Sequence, residues 1–131
     1  MPQSAFGIFL RKLRERRGLS LRELAQLAGI DHAYVYRLET GEKESPSDDA
    51  LTKLIRALKA SKREGEMIRY LAENQGVIAS VALVEYALED QTVSPNEFGM
   101  LAHVAHRGTV RPDYKTTIER IRRVLGDEER G

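Results

Sequence analysis

The 131-residue sequence predicts an all-α fold, and three observations carry that expectation. Apolar residues recur at intervals of three and four along most of the chain, the period of a helix that buries one face. The four prolines, at 2, 46, 95 and 112, stand where a helix begins or a loop lies. Strand-like alternation is confined to Val77–Val84, where Ala79, Ser80 and Ala82 weaken it.

The elements follow in order. Phe6, Leu10 and Leu13 make the first helical stripe, Leu24, Leu27 and Ala28 the second, and Val35 and Leu38 the third. Leu51, Leu54, Ile55 and Leu58 make a fourth, and Met67, Ile68 and Leu71 a weaker fifth. Beyond these, helices are expected at about 80–90, 95–106 and 112–125. Their stripes are Val81, Leu83, Val84 and Leu88, then Phe98, Leu101, Ala102 and Ala105, then Ile118, Ile121, Val124 and Leu125. Ser94, Pro95 and Glu97 open the second of the three, and Gly108 ends it. The charged tail Gly126 to Gly131 is expected to fray.

Composition narrows the function classes. The absence of Cys removes disulfides, thiolate metal sites and a cysteine nucleophile. No apolar run has the length of a membrane span and no signal-peptide core opens the chain, so a cytoplasmic setting is expected. There is no Gly-rich phosphate loop and no His–acid constellation with ligand spacing. The expectation is therefore a non-enzyme with no catalytic residue, cofactor or metal. Residues 1–60 hold 11 Lys plus Arg against 8 Asp plus Glu, a net of +3; residues 61–131 hold 10 against 12, a net of −2. Ser61 to Gly65 is polar and ends the fourth stripe. This shift divides the chain into 1–61 and 62–131, and a fragment ending near Ala60 is expected to keep the first half folded.

The informative stretch is residues 20–46. Ser20 and Glu23 form a capping box, so a helix starts at Leu21. Gly29 suits a left-handed C-terminal cap, Ile30 plugs the corner, and Asp31 caps the next helix, which Gly41 stops. Two short helices joined by so tight a turn can present the second helix to a DNA major groove.

Residues 6–58 resemble the lambda-repressor-like, or XRE, family of helix-turn-helix domains. The motifs FGIFLRKLRERRGLS, LRELAQLAGI, YVYRLETG and LTKLIRALK carry the resemblance. It implies a five-helix DNA-binding domain in which Arg14 of the first helix pairs with Glu39 closing the third, as scaffold rather than as a DNA contact. Helix geometry turns Val35 and Leu38 to the core and leaves His32, Ala33, Tyr36 and Arg37 outward. In the resembling family these positions reach base edges. Arg37 is the foremost specificity candidate, because a guanidinium binds guanine O6 and N7 together. Phosphate contacts are expected from Leu21 at the second helix's N-terminus and from Gln26, Thr40, Lys43 and Ser45. Two features depart from the family: Leu21 stands where relatives often carry Gln, and Glu42 and Glu44 oppose a polyanion. The competing reading is a solvated helix face, with Arg37 paired to nearby Glu and with Tyr34 and Tyr36 covering the core. Agreement across the whole segment favours DNA contact. The cluster Arg11, Lys12, Arg14, Arg16 and Arg17 adds little, since charge runs on helices usually face water.

The second half separates its charges. Residues 74–106 carry four acids (Glu85, Glu89, Asp90 and Glu97) and no base; residues 107–123 carry six bases against two acids. Such surfaces suit a self-complementary contact in a two-fold dimer. Residues 85–125 resemble the C-terminal module of DdrO-type repressors, through the Ser94-Pro95 opening, the Leu101 to Gly108 step, the Arg111-Pro112 step and the final amphipathic helix. The resemblance implies a homodimer formed through this module. It also implies a metalloprotease partner that cuts near His106 and Arg107 to release DNA. His103 and His106 are three apart, a spacing a metal can use, but no third ligand is evident and ordinary histidines are expected.

The sequence therefore points to a dimeric transcription regulator, a repressor on a palindromic operator. The alternative is an antitoxin-type interaction protein that neutralises a partner through residues 62–131 and regulates its own synthesis through the helix-turn-helix.

Overall fold

A computed structural model of the chain describes residues 4–42, 46–107 and 113–130, and all of its regular structure is helical. The helices are α1 (Ala5–Arg16), α2 (Leu21–Ala28), α3 (His32–Thr40), α4 (Asp48–Ala57), α5 (Lys62–Glu73), α6 (Val81–Glu89), α7 (Pro95–Arg107) and α8 (Tyr114–Arg130). No helix among the described residues is long and apolar enough to cross a membrane.

Serine caps set most of the starts. The Oγ atoms of Ser4, Ser20, Ser47, Ser61 and Ser80 each accept a first-turn backbone N–H. At Ser20, Ser61 and Ser94 the box closes reciprocally through Glu23, Glu64 and Glu97. Ser61, which the composition marks as a boundary, thus opens a helix.

α1 is the centre of the molecule. The sequence stripe gave it one buried face, yet Ala5 through Leu10 and Leu13 are all buried. The reason is that α1 packs on α3 at one side and on α5 and α6 at the other, and a helix covered on both sides must be apolar nearly all round. Its contact with α3 requires Gly7: a Cβ there would lie 2.5 Å from the Glu39 carbonyl oxygen.

One hydrophobic cluster joins both halves of the chain. It runs from Phe6, Phe9, Leu24, Val35, Leu38 and Leu54 through Met67, Ile68 and Leu71 to Leu83, Val84, Phe98, Leu101 and Ile118. Between α5 and α6 the chain adds a single antiparallel bridge, Ser4 to Ile78, beside the bond from the Ala5 N–H to the Val77 carbonyl, 3.0 Å. Among the described residues that bridge is what the strand signal at Val77–Val84 amounts to, because Ser80 caps α6 immediately afterwards.

Some stripes need correction. Leu27 is exposed: it lies about 110° around α2 from the centre of the face made by Leu21, Leu24, Ala25 and Ala28. Val81 and Val124 are exposed as well, and Ala87 takes a core position on α6. The tail is helical rather than frayed, since α8 continues through Gly126 to Arg130; Glu and Arg in that stretch are good helix formers.

The expected charge separation in the second half is largely satisfied inside the chain. Glu85 and Glu89 of α6 meet Lys12 and Arg16 of α1, at 3.3 and 3.4 Å. Glu97 of α7 meets Arg122 of α8 at 2.8 Å, and Arg122 also donates to the Thr92 carbonyl and hydroxyl, each at 3.1 Å. Burial outweighs the attraction of Glu64 and Asp90 at Arg63, whose pKa is lowered; it donates to the Val93 carbonyl at 2.8 Å and to the Ala87 carbonyl near the end of α6.

Candidate nucleic-acid interface

The site is built from α2, its turn and α3. Ser20 fixes the start of α2: its hydroxyl accepts the Glu23 N–H at 3.0 Å, and the Glu23 carboxylate accepts the Ser20 N–H at 3.0 Å. These bonds hold the Glu23 carboxyl below its ordinary pKa. Gly29 ends α2 at φ 70°, a left-handed conformation that a side chain would strain, and its neighbour Ile30 packs against the core. Asp31 then starts α3, its carboxylate accepting the Ala33 N–H at 3.1 Å. Each turn of the motif is therefore specified locally.

The depth of α3 in the fold is set by its buried side. Val35 and Leu38 enter the core, and Tyr34 packs at its edge. Glu39 is 3% exposed, a carboxylate that must be paired to be there. Arg14 supplies the pairing: Nε lies 2.7 Å from Oε2 and Nη2 lies 3.1 Å from Oε1, while Nη1 donates to the Leu19 carbonyl at 2.8 Å. Hydrogen bonding to Glu39 raises the Arg14 pKa against the opposing effect of burial. One guanidinium thus ties α1, the loop before α2, and the end of α3 together.

The outward side of α3 is a continuous ridge. His32, Ala33, Tyr36 and Arg37 are exposed, with Tyr36 at 50%, and Ala33, Tyr36 and Arg37 share a face by their i, i+3, i+4 spacing. His32 Nδ1 lies 3.6 Å from the Asp31 carboxylate. Among the described residues no acid pairs with Arg37, so its guanidinium stands open to solvent.

The phosphate-contact candidates divide. Gln26 is exposed on α2. The Thr40 hydroxyl turns back to the Arg37 carbonyl at 3.4 Å. The Leu21 side chain packs against the core, which leaves its backbone N–H, in the first turn of α2, as the group that can meet an anion. Lys43 and Ser45, with Glu44, lie outside the described residues. Arg22 was missed: it is exposed at the same first turn as Leu21 and has no acid partner among the described residues. A cation two residues past an N-cap was the available signal.

The basic cluster of α1 belongs to the scaffold. Arg11 pairs with Glu15 at 3.1 Å, Lys12 with Glu85, Arg16 with Glu89, and Arg17 with Glu64 at 2.7 Å. Arg17 also donates to the Leu58 carbonyl at 2.9 Å. Apart from Arg11, whose partner lies on α1 itself, these cations link α1 to α4, α5 and α6.

In the second half, His103 is exposed, and the backbone of His106 and Arg107 closes α7; the side chains of those two residues lie outside the described part. No cluster of three or more His, Cys, Asp or Glu with metal-binding geometry occurs among the described residues.

Comparison with known proteins bears on this geometry. Residues 5–66 match the protein family described as a helix-turn-helix domain, so the N-terminal part of this all-helical chain is such a domain. Over 55 residues the chain is 40% identical to the HTH-type transcriptional repressor RghR of Bacillus subtilis (strain 168), a match of 42% of this chain and 41% of that protein. Over 55 residues it is 36% identical to an uncharacterized HTH-type transcriptional regulator of Mycobacterium tuberculosis (strain ATCC 25618 / H37Rv), covering 42% of this chain and 39% of that one. A 45-residue stretch is 40% identical to part of the glutamine–fructose-6-phosphate aminotransferase of Methanocaldococcus jannaschii; it covers 34% of this chain but 4% of that protein, too little to bear on its chemistry. The chain spans about two fifths of the length of the curated regulators it matches.

Proposed function

We propose that this chain is a sequence-specific DNA-binding transcription regulator, a repressor that binds a palindromic operator as a homodimer. The observation that supports it most is the outward ridge of α3, with an open Arg37 on a helix locked from behind by the Arg14–Glu39 pair. Relatives named as helix-turn-helix transcription regulators support the same reading. The setting that fits it is the cytoplasm.

In this reading α3 enters the major groove. Arg37 reads a guanine edge, while His32, Ala33 and Tyr36 meet adjacent base edges or the sugar–phosphate chain. Gln26, Thr40, Lys43, Ser45 and the first turn of α2, at Leu21 and Arg22, hold phosphates and set the register. Cleavage by a metalloprotease at His106 and Arg107, where α7 ends, is the regulatory form of the proposal. Incubation with the cognate protease, read by mass, tests that part: a cut near residue 106 supports it and an intact segment removes it.

The main reading is tested by selecting binders from a random duplex pool at fixed salt and sequencing what is retained. Two inverted half-sites, with centres ~34–36 Å apart, are expected. A pool that emerges unenriched contradicts the proposal.

A further inference from the structure

The cations of α1 to α5 fall into two sets. Those of α1 are paired, Lys53 and Arg69 pair with Asp49 and Asp48 of α4 at 3.0 and 2.6 Å, and Arg63 donates to carbonyl groups. Arg56, Lys59 and Lys62 are exposed and, like Arg22 and Arg37, have no acid partner among the described residues. These three line a groove of about 510 Å³ between α4 and α5, in which Glu66 is the one acid among the lining residues.

Lys59 and Lys62, with Arg56 one turn back, stand at the end of the molecule where α2 begins. Arg17, three residues before Ser20, donates to the Leu58 carbonyl at 2.9 Å and to the Glu64 carboxylate at 2.7 Å. Leu58 closes α4 and Glu64 lies in the first turn of α5, so one guanidinium pins the α4–α5 turn beside the start of α2. α2 and α4 are themselves in contact. Two acids at this end are engaged: Glu23 and Glu64 close capping boxes, and Glu64 also holds Arg17.

The turn itself carries an outlier. The Lys59 N–H donates to the Arg56 carbonyl and the Ala60 N–H to the Ile55 carbonyl, each at 3.1 Å, the two bonds of a Schellman turn. That geometry puts Lys59 at φ 50°, the one non-glycine at positive φ among the described residues. After α1, α2 and α3 the same place goes to Gly18, Gly29 and Gly41. A Cβ is disfavoured there, so folding alone would select glycine, and a lysine in its place indicates a use for the charge.

We infer that the α4–α5 turn is a second phosphate clamp, in which Arg56, Lys59 and Lys62 hold the sugar–phosphate chain next to the stretch held by the first turn of α2. The inference rests on the DNA-binding reading above and adds to it a surface outside the helix-turn-helix. Such contacts raise affinity and set register without reading sequence.

The test titrates the full chain onto its selected duplex over a range of salt concentrations. The slope of log affinity against log salt should become shallower by about 0.9 for each phosphate contact removed. For Arg56→Ala, Lys59→Ala and Lys62→Ala combined, that is about 2.7 per half-site, with the selected consensus unchanged. Lys115→Ala with Arg120→Ala, at exposed cations of α8, should keep the wild-type slope. Lys59→Gly separates binding from folding: it should raise the thermal midpoint by about 3 °C while its slope falls by one contact per half-site. A wild-type slope for the triple variant or for Lys59→Gly overturns the inference; the groove would then face another anion, such as an acidic protein segment. An altered consensus for the triple variant also overturns it, because the turn would then act by shaping α3. These results leave the regulator reading standing, since the wild type still selects its sites; a wild type that selects none removes both.

Discussion

Arg14 and Glu39, 25 positions apart, meet as a bidentate ion pair whose side chains are 12% and 4% exposed, and this contact fixes the end of α3 against α1. The pair sits behind the ridge that carries Arg37, so the scaffold contact and the proposed DNA-reading surface occupy opposite sides of one helix. Removing one partner strands the other charge in the core. Arg14→Ala or Glu39→Ala is therefore expected to cost about 3 kcal/mol, measured as a drop in unfolding free energy by urea titration. A loss under about 0.5 kcal/mol would mean that water replaces the missing partner.

Gly7, on α1 two turns before Arg14, reports on the same junction. Its replacement by Ala drives a methyl group into the Glu39 carbonyl, and backbone cannot yield as a flexible side chain does. Gly7→Ala is expected to destabilise the protein by about 2 kcal/mol, although Ala is the better helix former at an open site. A stabilised Gly7→Ala protein in thermal unfolding would contradict the close approach of α1 to α3.

The Glu97–Arg122 contact makes the docking of α8 sensitive to acid. Hydrogen bonding from Arg122 holds the Glu97 carboxyl below its ordinary pKa of 4.5. Stability from this contact is present above that value and is lost as pH falls through the lower, folded-state pKa. With Arg122 partly in solvent, its size is about 1 kcal/mol. Urea midpoints collected from pH 7 to pH 3 should fall less steeply at the acid end for Glu97→Gln than for the wild type. Parallel acid limbs would show that Glu97 takes no part.

The shared core alters the expectation for a shortened chain. Cutting after Ala60 removes Met67, Ile68, Leu71, Leu83 and Val84 and uncovers the α5- and α6-facing side of α1. Residues 1–60 alone are expected to lose the cooperative unfolding transition, because so small a unit with one apolar side of α1 laid open to water buries too little surface. A sharp thermal transition for that fragment would instead make the first half self-sufficient.

The structure separates what is legible in the sequence from what is not. Helix starts and the turn at Gly29 were legible because Ser20, Glu23, Gly29 and Asp31 act on their own backbone within a few residues. The same S-x-x-E signal stands at Ser61 and Glu64, where the polar composition reads instead as a boundary. The outward ridge of α3 followed from helical period alone. The full burial of α1 did not, because which faces a helix covers depends on partners that arrive much later in the chain. Arg16 and Glu89 are 73 positions apart, and no local pattern announces that they meet. The basic run of α1 therefore resembled a solvated surface while each of its cations had a distant or helical partner. Arg22 was overlooked for the opposite reason: a single exposed cation carries no period.

The central claim is that α3 reads DNA sequence through Arg37, and a parallel selection of wild type and Arg37→Ala from one random duplex pool tests it most directly. The account predicts a consensus of two inverted half-sites for the wild type. For Arg37→Ala it predicts loss of preference at one base pair in each half-site, with about 1–3 kcal/mol less discrimination there and the other positions retained. Arg22→Ala, a phosphate contact in this account, should weaken binding to all sequences alike. An identical consensus for wild type and Arg37→Ala would contradict the claim.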